Sequence, residues 1–351
     1  MTLANNSEVA GFTMTTAAQS HIAGSNVSGV NINRNTLSNA TVAGIRLMNA
    51  SGTANIANNM TSNNTSDGIQ VANAIGTLNL SISGNTANGN ANGIALLMSG
   101  TSQTTASISG NSLTNNANPG INVSGVGQSQ LTVLIDQNTI ATNANDALRF
   151  SATNDARLMT TVSNNQITMG VLGFDGMDFS VANKGFIDAT VSGNTITGQM
   201  QEGIDLNLNG VGLMVARVTG NTIRSTAAGS QSAVSALVAD TSQLFARVEN
   251  NTISDFDVEG IDLDVVGNAD SLFAIIGNTI SGSGMFGVDA ETNGATPMLD
   301  LVLQTNTSGS GYNLLETNGV FRAEDTLATN TGAVTLGAGI DLFPAGTFPL
   351  P

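Results

Sequence analysis

Residues 191–210 read VSGNTITGQMQEGIDLNLNG, and residues 248–267 read VENNTISDFDVEGIDLDVVG. The two stretches lie 57 positions apart and are nearly the same. Neither places apolar residues at helical spacing. After the glycine of each GIDL the residues alternate apolar, polar, apolar, the period of a strand with one buried face. The phrase is not confined to this pair. It recurs as NRNTL at 33–37, ANNM at 57–60, SGNTA at 83–87, SGNSL at 109–113 and DQNTI at 136–140. It continues as SNNQI at 163–167, TGNTI at 219–223, IGNTI at 276–280 and QTNTS at 304–308. The shared asparagines are Asn35, Asn58, Asn85, Asn111, Asn138, Asn165, Asn194, Asn221, Asn251, Asn278 and Asn306. Their spacings run from 23 to 30 residues, so 57 is two periods.

A small residue followed by an aliphatic one is a second landmark, as in GIRL at 44, GIQV at 68, GINV at 120 and GVDA at 287. A third, alternating run precedes each asparagine, as in TLNLSIS at 77–83 and QLTVLID at 130–136. Each period of roughly 27 residues therefore holds three short strands separated by Gly, Asn and Ser turns. One such coil cannot bury its apolar face, but stacking pairs each strand in parallel with its copy about 4.8 Å away. Like positions then form interior columns. Ile45, Ile69, Ile94, Ile121 and Leu148 make one, and Ile140, Ile167, Ile196, Ile223, Ile253 and Ile280 another. The recurring asparagine reads as a buried ladder at a tight bend. Its amide both donates and accepts, and Asn tolerates the left-handed backbone that sharp bends need. The expected fold is all-β, a solenoid of about eleven coils. Its entry coil would occupy 1–30, its repeats 31–330, and a cap or tail 331–351.

SGNTI, GIDL and the opening VAGFTM at 9–14 resemble the Asn-ladder, strand and first-coil phrases of the right-handed parallel β-helix repeat family, the pectate-lyase-like superfamily. The resemblance covers roughly residues 5–330 and implies a single right-handed parallel β-helix, outside the cell or on its surface. It says little about activity, because that superfamily includes lyases, hydrolases, epimerases, adhesins and inert stalks.

Composition narrows the partners. The 351 residues include no Cys, no Trp, one Tyr and one His, with a net charge of −16. Cys-based metal and redox chemistry is excluded. The acidic excess opposes nucleic acid, whose binding rests on Lys and Arg neutralising phosphates. No apolar run is long enough for a membrane span, and no signal peptide is visible at Met1. Charge is uneven: residues 1–150 carry a net −1 and the remainder −15, and no charged residue occurs from Gly68 to Ile135.

Two residues past each small-residue landmark stand Arg46, Gln70, Ala95, Asn122, Arg149, Asp178, Asp205, Ser235, Asp262 and Asp289. All are expected to point outward on one sheet, with Ser180, Asn207, Asp264 and Glu291 in the row beside them. The binding candidates are thus Asp178, Asp205, Asp262, Asp264, Asp289 and Glu291. Stacked carboxylates suit a hard cation such as calcium, and about 5 Å is also the separation used by retaining glycosidases. A solvated acidic face that keeps a long β-protein soluble is the simpler reading. His21 is expected at the surface or in a cap, and Lys184, the only lysine, in solvent. The residue after each ladder asparagine is usually Thr (Thr36, Thr86, Thr139, Thr195, Thr222, Thr252, Thr279, Thr307), with Asn59 and Gln166 as interruptions. Ice-binding solenoids carry such rows, but so does any β-helix built on NTI. No GxSxG, HExxH or P-loop is present.

The reading that follows is a non-enzymatic, extracellular or surface β-solenoid, a spacer or adhesin. Polysaccharide or a cell-surface ligand is its expected partner, and calcium the one cofactor its acids could take. The alternative is a polysaccharide-active lyase or glycoside hydrolase using Asp178, Asp205, Asp262 and Asp289.

Overall fold

The computed structural model describes residues 1–170, 173–225 and 227–350. The chain divides into two compact units, Met1–Phe174 and Asp175–Pro351. In each unit the chain visits three parallel sheets in turn, one strand per sheet per coil. In the first unit the first sheet runs from Glu8–Ala10 to Arg157–Ser163, and the second from Thr13–Met14 to Gln166–Thr168. The third runs from Ile22–Ser25 to Leu148–Thr153. In the second unit the first sheet runs from Phe186–Ser192 to Asp341–Phe343, and the second from Thr195–Thr197 to Thr307–Ser308. The third runs from Met177–Ala182 to Val334–Leu336. The turns number about eleven, as the repeat predicts. Among the described residues there is no α-helix, only a 3-10 turn at Leu327–Thr329.

Period-2 alternation sets the faces. In Gln103–Ser109, Thr104, Ala106 and Ile108 are buried while Gln103 and Thr105 are exposed. Strand pairing holds like positions level: Ile45 pairs with Ile69, Ile69 with Ile94, Ile94 with Ile121, and Ile121 with Leu148. In the second unit Ile196, Ile223, Ile253 and Ile280 stack likewise. Parallel pairing in register turns each of these columns into continuous apolar burial.

Between the first and second sheets stands the asparagine ladder. Asn111 is typical. Its Nδ2 donates to Asn138 Oδ1 at 2.9 Å, to the Ile82 carbonyl at 3.0 Å and to the Ser109 carbonyl at 3.2 Å. Its Oδ1 accepts from the backbone N–H and the Nδ2 of Asn85, at 2.9 and 3.0 Å. Two assignments change. The ladder passes through Asn59, not Asn58: Asn35 Nδ2 donates to Asn59 Oδ1 at 2.9 Å, and Asn59 Nδ2 to Asn85 Oδ1 at 3.0 Å. The residue in the Thr row of that coil is therefore Met60. Second, the ladder asparagines are not themselves left-handed. The residue before each one is, as at Gly84 (φ 62°), Gly110 (62°) and Gly193 (64°). Where that residue is not glycine it still adopts the conformation, as Asn58 (56°), Gln137 (55°), Asn250 (54°) and Thr305 (54°) do. This turn swings the chain so that the next side chain points inward. The ladder also reaches past Asn306 to Asn330 Oδ1, at 2.9 Å.

A second ladder, which the repeat phrase does not announce, lies between the second and third sheets of the first unit. Asn64, Asn90, Asn116 and Asn143 are each buried and linked amide to amide, at 2.8, 3.3 and 2.9 Å in turn. His21 is buried rather than superficial, with Nε2 2.9 Å from the Ser38 carbonyl. Lys184 is exposed.

The end of the chain adds strands and then folds back. Tyr312 pairs with Val334, and Arg322 with Asp341. Phe348 is then buried against Leu272, Ala274 and Val302 on the outer side of the first sheet. Its N–H donates to Glu324 Oε1 at 2.8 Å, and the Arg322 guanidinium lies 5.6 Å from its ring centroid.

Candidate functional site

The strands that carry the acids each begin after a tight bend at a small residue. A Cβ added at Gly203 would sit 2.5 Å from the Ala233 carbonyl and would also press on Ile223 Cγ2. Close approach of the next coil, not backbone φ, explains the small residue there. From that fixed start, alternation sends every second side chain outward. Asp178 pairs with Asp205, Asp205 with Ser235, Ser235 with Asp262, and Asp262 with Asp289. The adjacent row runs Ser180, Asn207, Leu237, Asp264 and Glu291. The outcome is two groups on one sheet. Asp178 and Asp205 form one, and the block of Asp262, Asp264, Asp289 and Glu291 the other, separated by the coil that offers Ser235 and Leu237.

These side chains are half-buried and partly held by neutral donors. Asn207 Nδ2 donates to Asp205 Oδ2, and Asn313 Nδ2 to Asp289 Oδ1, both at 2.8 Å. Thr317 Oγ1 donates to Glu291 Oε1 at 2.8 Å. Two further acids come from the bends. Glu259 is buried and accepts from Ser232 Oγ at 3.1 Å, and buried Asp175 accepts the Glu202 N–H at 3.0 Å. Neither follows from the two-residue count past the landmark, because both precede the strand. The signal available was the EG and DG that open these strands.

The electrostatics follow from the crowding. Asp262 is pushed up to about 8, first by burial and then by repulsion from Asp264, Glu259, Asp289 and Glu202. Burial likewise raises Asp264, with Glu291 and Asp289 adding to it. Asp289 is raised by burial against the opposing Asn313 hydrogen bond, and Glu259 by burial against that of Ser232. Asp262 is therefore mostly protonated at neutral pH. Among the described residues, no group of three or more His, Asp or Glu side chains is placed to hold a metal ion. None of the described helices is long and apolar enough to cross a membrane.

Three parallel sheets visited once per coil, with a hydrogen-bonded asparagine ladder at one bend, define a parallel β-helix. Residues 2–134 match the family described as right-handed β-helix region. No curated protein matches the sequence. Among solved structures the chain is similar to the catalytic unit of a thermostable GH87 α-1,3-glucanase from Streptomyces thermodiastaticus strain HF3-3. Identity is 13% and the TM-score 0.36, and the match covers 88% of this chain but 66% of the glucanase structure. A likeness that slight does not bear on activity.

Proposed function

We propose that this chain is a non-enzymatic β-solenoid, secreted or displayed at a cell surface, acting as a spacer or adhesin. Its acidic face in the second half would meet carbohydrate or divalent cations. The observation that carries the reading is the unbroken ladder in each unit: coil after coil repeats one register, and each addition extends the scaffold without changing it. Such a scaffold suits presentation better than turnover. The crowded acids repel as they ionise, so a cation bridging Asp262 and Asp289 would displace the Asp262 proton, stabilise the folded state and raise its melting temperature with concentration. Thermal melting in calcium against ionic-strength-matched sodium tests this, for the natural chain and for Asp205→Asn with Asp262→Asn. A calcium-specific rise that disappears in the double variant supports cation binding. Equal rises in both salts reduce the stripe to general screening.

One observation favours the alternative of a polysaccharide-active lyase or glycoside hydrolase. Asp262 keeps its proton near neutrality beside Asp289, as a general acid must. Release of reducing sugar or unsaturated product from a polysaccharide panel, abolished in Asp262→Asn, would establish that activity. No product across acidic and neutral polysaccharides would remove it.

A further inference from the structure

The acidic face leaves unexplained a groove on another sheet. On the outer side of the first sheet of the first unit, a groove of about 700 Å³ runs across successive coils. Two outward rows flank it. Thr53, Asn79 and Thr105 are in register in one, and Asn55, Ser81 and Ser107 in the other. We propose that this groove binds an uncharged polysaccharide chain lying along the coil stack.

Charge supports that occupant. The strands Ser51–Ala57, Thr77–Ser83 and Gln103–Ser109 contain no ionisable side chain, in a protein of net charge −16. A phosphate backbone, an acidic glycan or a basic peptide would find no ion partner in them. Charge stands only at the two ends: Glu8, which accepts from Asn31 Nδ2 at 3.4 Å, and Asp136, the last residue of the strand whose Thr132 and Leu134 line the groove. An uncharged chain can lie there without desolvating an ion. Chemistry supports it too. Asn55 donates to Asn31 Oδ1 at 3.0 Å, whereas among the described residues Asn79, Ser81, Thr105 and Ser107 form no hydrogen bond through their side chains. Amide and hydroxyl groups that the fold does not use can meet sugar hydroxyls. The groove is mostly apolar, with Leu134 exposed at one end, which suits the C–H faces of a hexose. Its volume lies within the range of about 300–1,000 Å³ usual for ligand clefts. The rows recur at the strand spacing of about 4.8 Å, comparable with one sugar ring of an extended chain, so successive rings would meet equivalent side chains.

Affinity gel electrophoresis of the full chain tests this, in native gels containing hydroxyethylcellulose, dextran, galactomannan or polygalacturonate, each against a polysaccharide-free gel. The expected result is retardation by at least one neutral polysaccharide and none by polygalacturonate. Thr105→Arg, which fills and charges the middle of the groove, should weaken binding at least tenfold, and the milder Asn79→Ala about threefold. Thr139→Arg, an equally exposed change on the second sheet, should bind as the natural chain does. The inference is overturned if no neutral polysaccharide retards the chain or if polygalacturonate retards it as strongly. It is overturned equally if both groove variants bind normally, or if Thr139→Arg loses binding to the same degree. The melting experiment on the acidic face gives its own answer either way.

Discussion

Replacing Asn111 with Ala tests the ladder where every contact is defined. Asn111 is 1% exposed, so water cannot easily take its place. Truncation removes three donated bonds, to Asn138 Oδ1 and the Ile82 and Ser109 carbonyls, and two accepted ones from Asn85. Asn85 Nδ2 keeps its bonds to the Ile56 and Ser83 carbonyls, and Asn138 Oδ1 keeps the Asn111 backbone N–H. The Ile82 carbonyl keeps its place in the strand pairing with Gln103–Ser109, so the group stranded outright is the Asn85 N–H. Left buried without a partner it costs about 1–3 kcal/mol, so the variant should lose about that much. Chemical denaturation followed by circular dichroism measures this. The control is Asn58→Gly, at an exposed left-handed position where a ladder asparagine was expected. It should change stability by less than about 0.5 kcal/mol or improve it, since glycine adopts that conformation freely. A loss below about 0.5 kcal/mol for Asn111→Ala, or an equal loss for Asn58→Gly, would refute the account of the bend.

Further outcomes follow from other contacts. Asp262 has a raised folded-state value of about 8, so its contribution to stability is full below the ordinary carboxylate range and is lost as pH rises toward 8. Asp262→Asn should flatten the fall in melting temperature between pH 4.5 and 8.5, and an unchanged slope would contradict the burial assigned to it. Thr305 is a β-branched, exposed residue at φ 54°, so Thr305→Gly should raise stability by about 1 kcal/mol in the same denaturation assay. Gly84→Ala should lower it, because the new Cβ would meet Asn58 Oδ1 at 2.6 Å. Removing residues 340–351 uncovers Leu272, Ala274 and Val302 and a strand edge at Val320–Glu324. The shortened chain should self-associate in sedimentation runs, and one that stays monomeric at high concentration would argue against a covering role.

The period, the three strands and the inward faces were legible because each coil must satisfy the same register, so identity of position shows as similarity of residue. Slippage occurred where that similarity failed. In ANNM two asparagines are adjacent, and Met60 mimics the aliphatic residue that follows NT elsewhere. The structure points Met60 outward, 49% exposed, and buries Thr61 instead. The second ladder was missed because its flanking residues, in SNNTS, NGNAN and TNAND, share no apolar landmark. The outward acids were readable from alternation alone. Their energetics were not, since Asp262 is repelled by Glu259, at the bend that opens its own strand, and by Glu202, at a bend two coils away.

Within each unit, one rung of the main ladder gives its Nδ2 to the oxygen of the next, so each coil offers on one side what it accepts on the other. Such a chain can change length only in whole steps. Excising residues 111–137 would set Gly110, already left-handed at 62°, directly before Asn138, which lies 27 positions beyond Asn111. The amide of Asn85 would then meet the oxygen of Asn138, and strand Thr86–Asn88 would lie beside Thr139–Ala141. A cut that does not join matching positions of two coils leaves an amide facing the wrong neighbour and turns apolar columns outward. The ladder thus acts as a ratchet on evolution and on design alike, making duplication or loss of a full coil a small step and a partial one a broken fold.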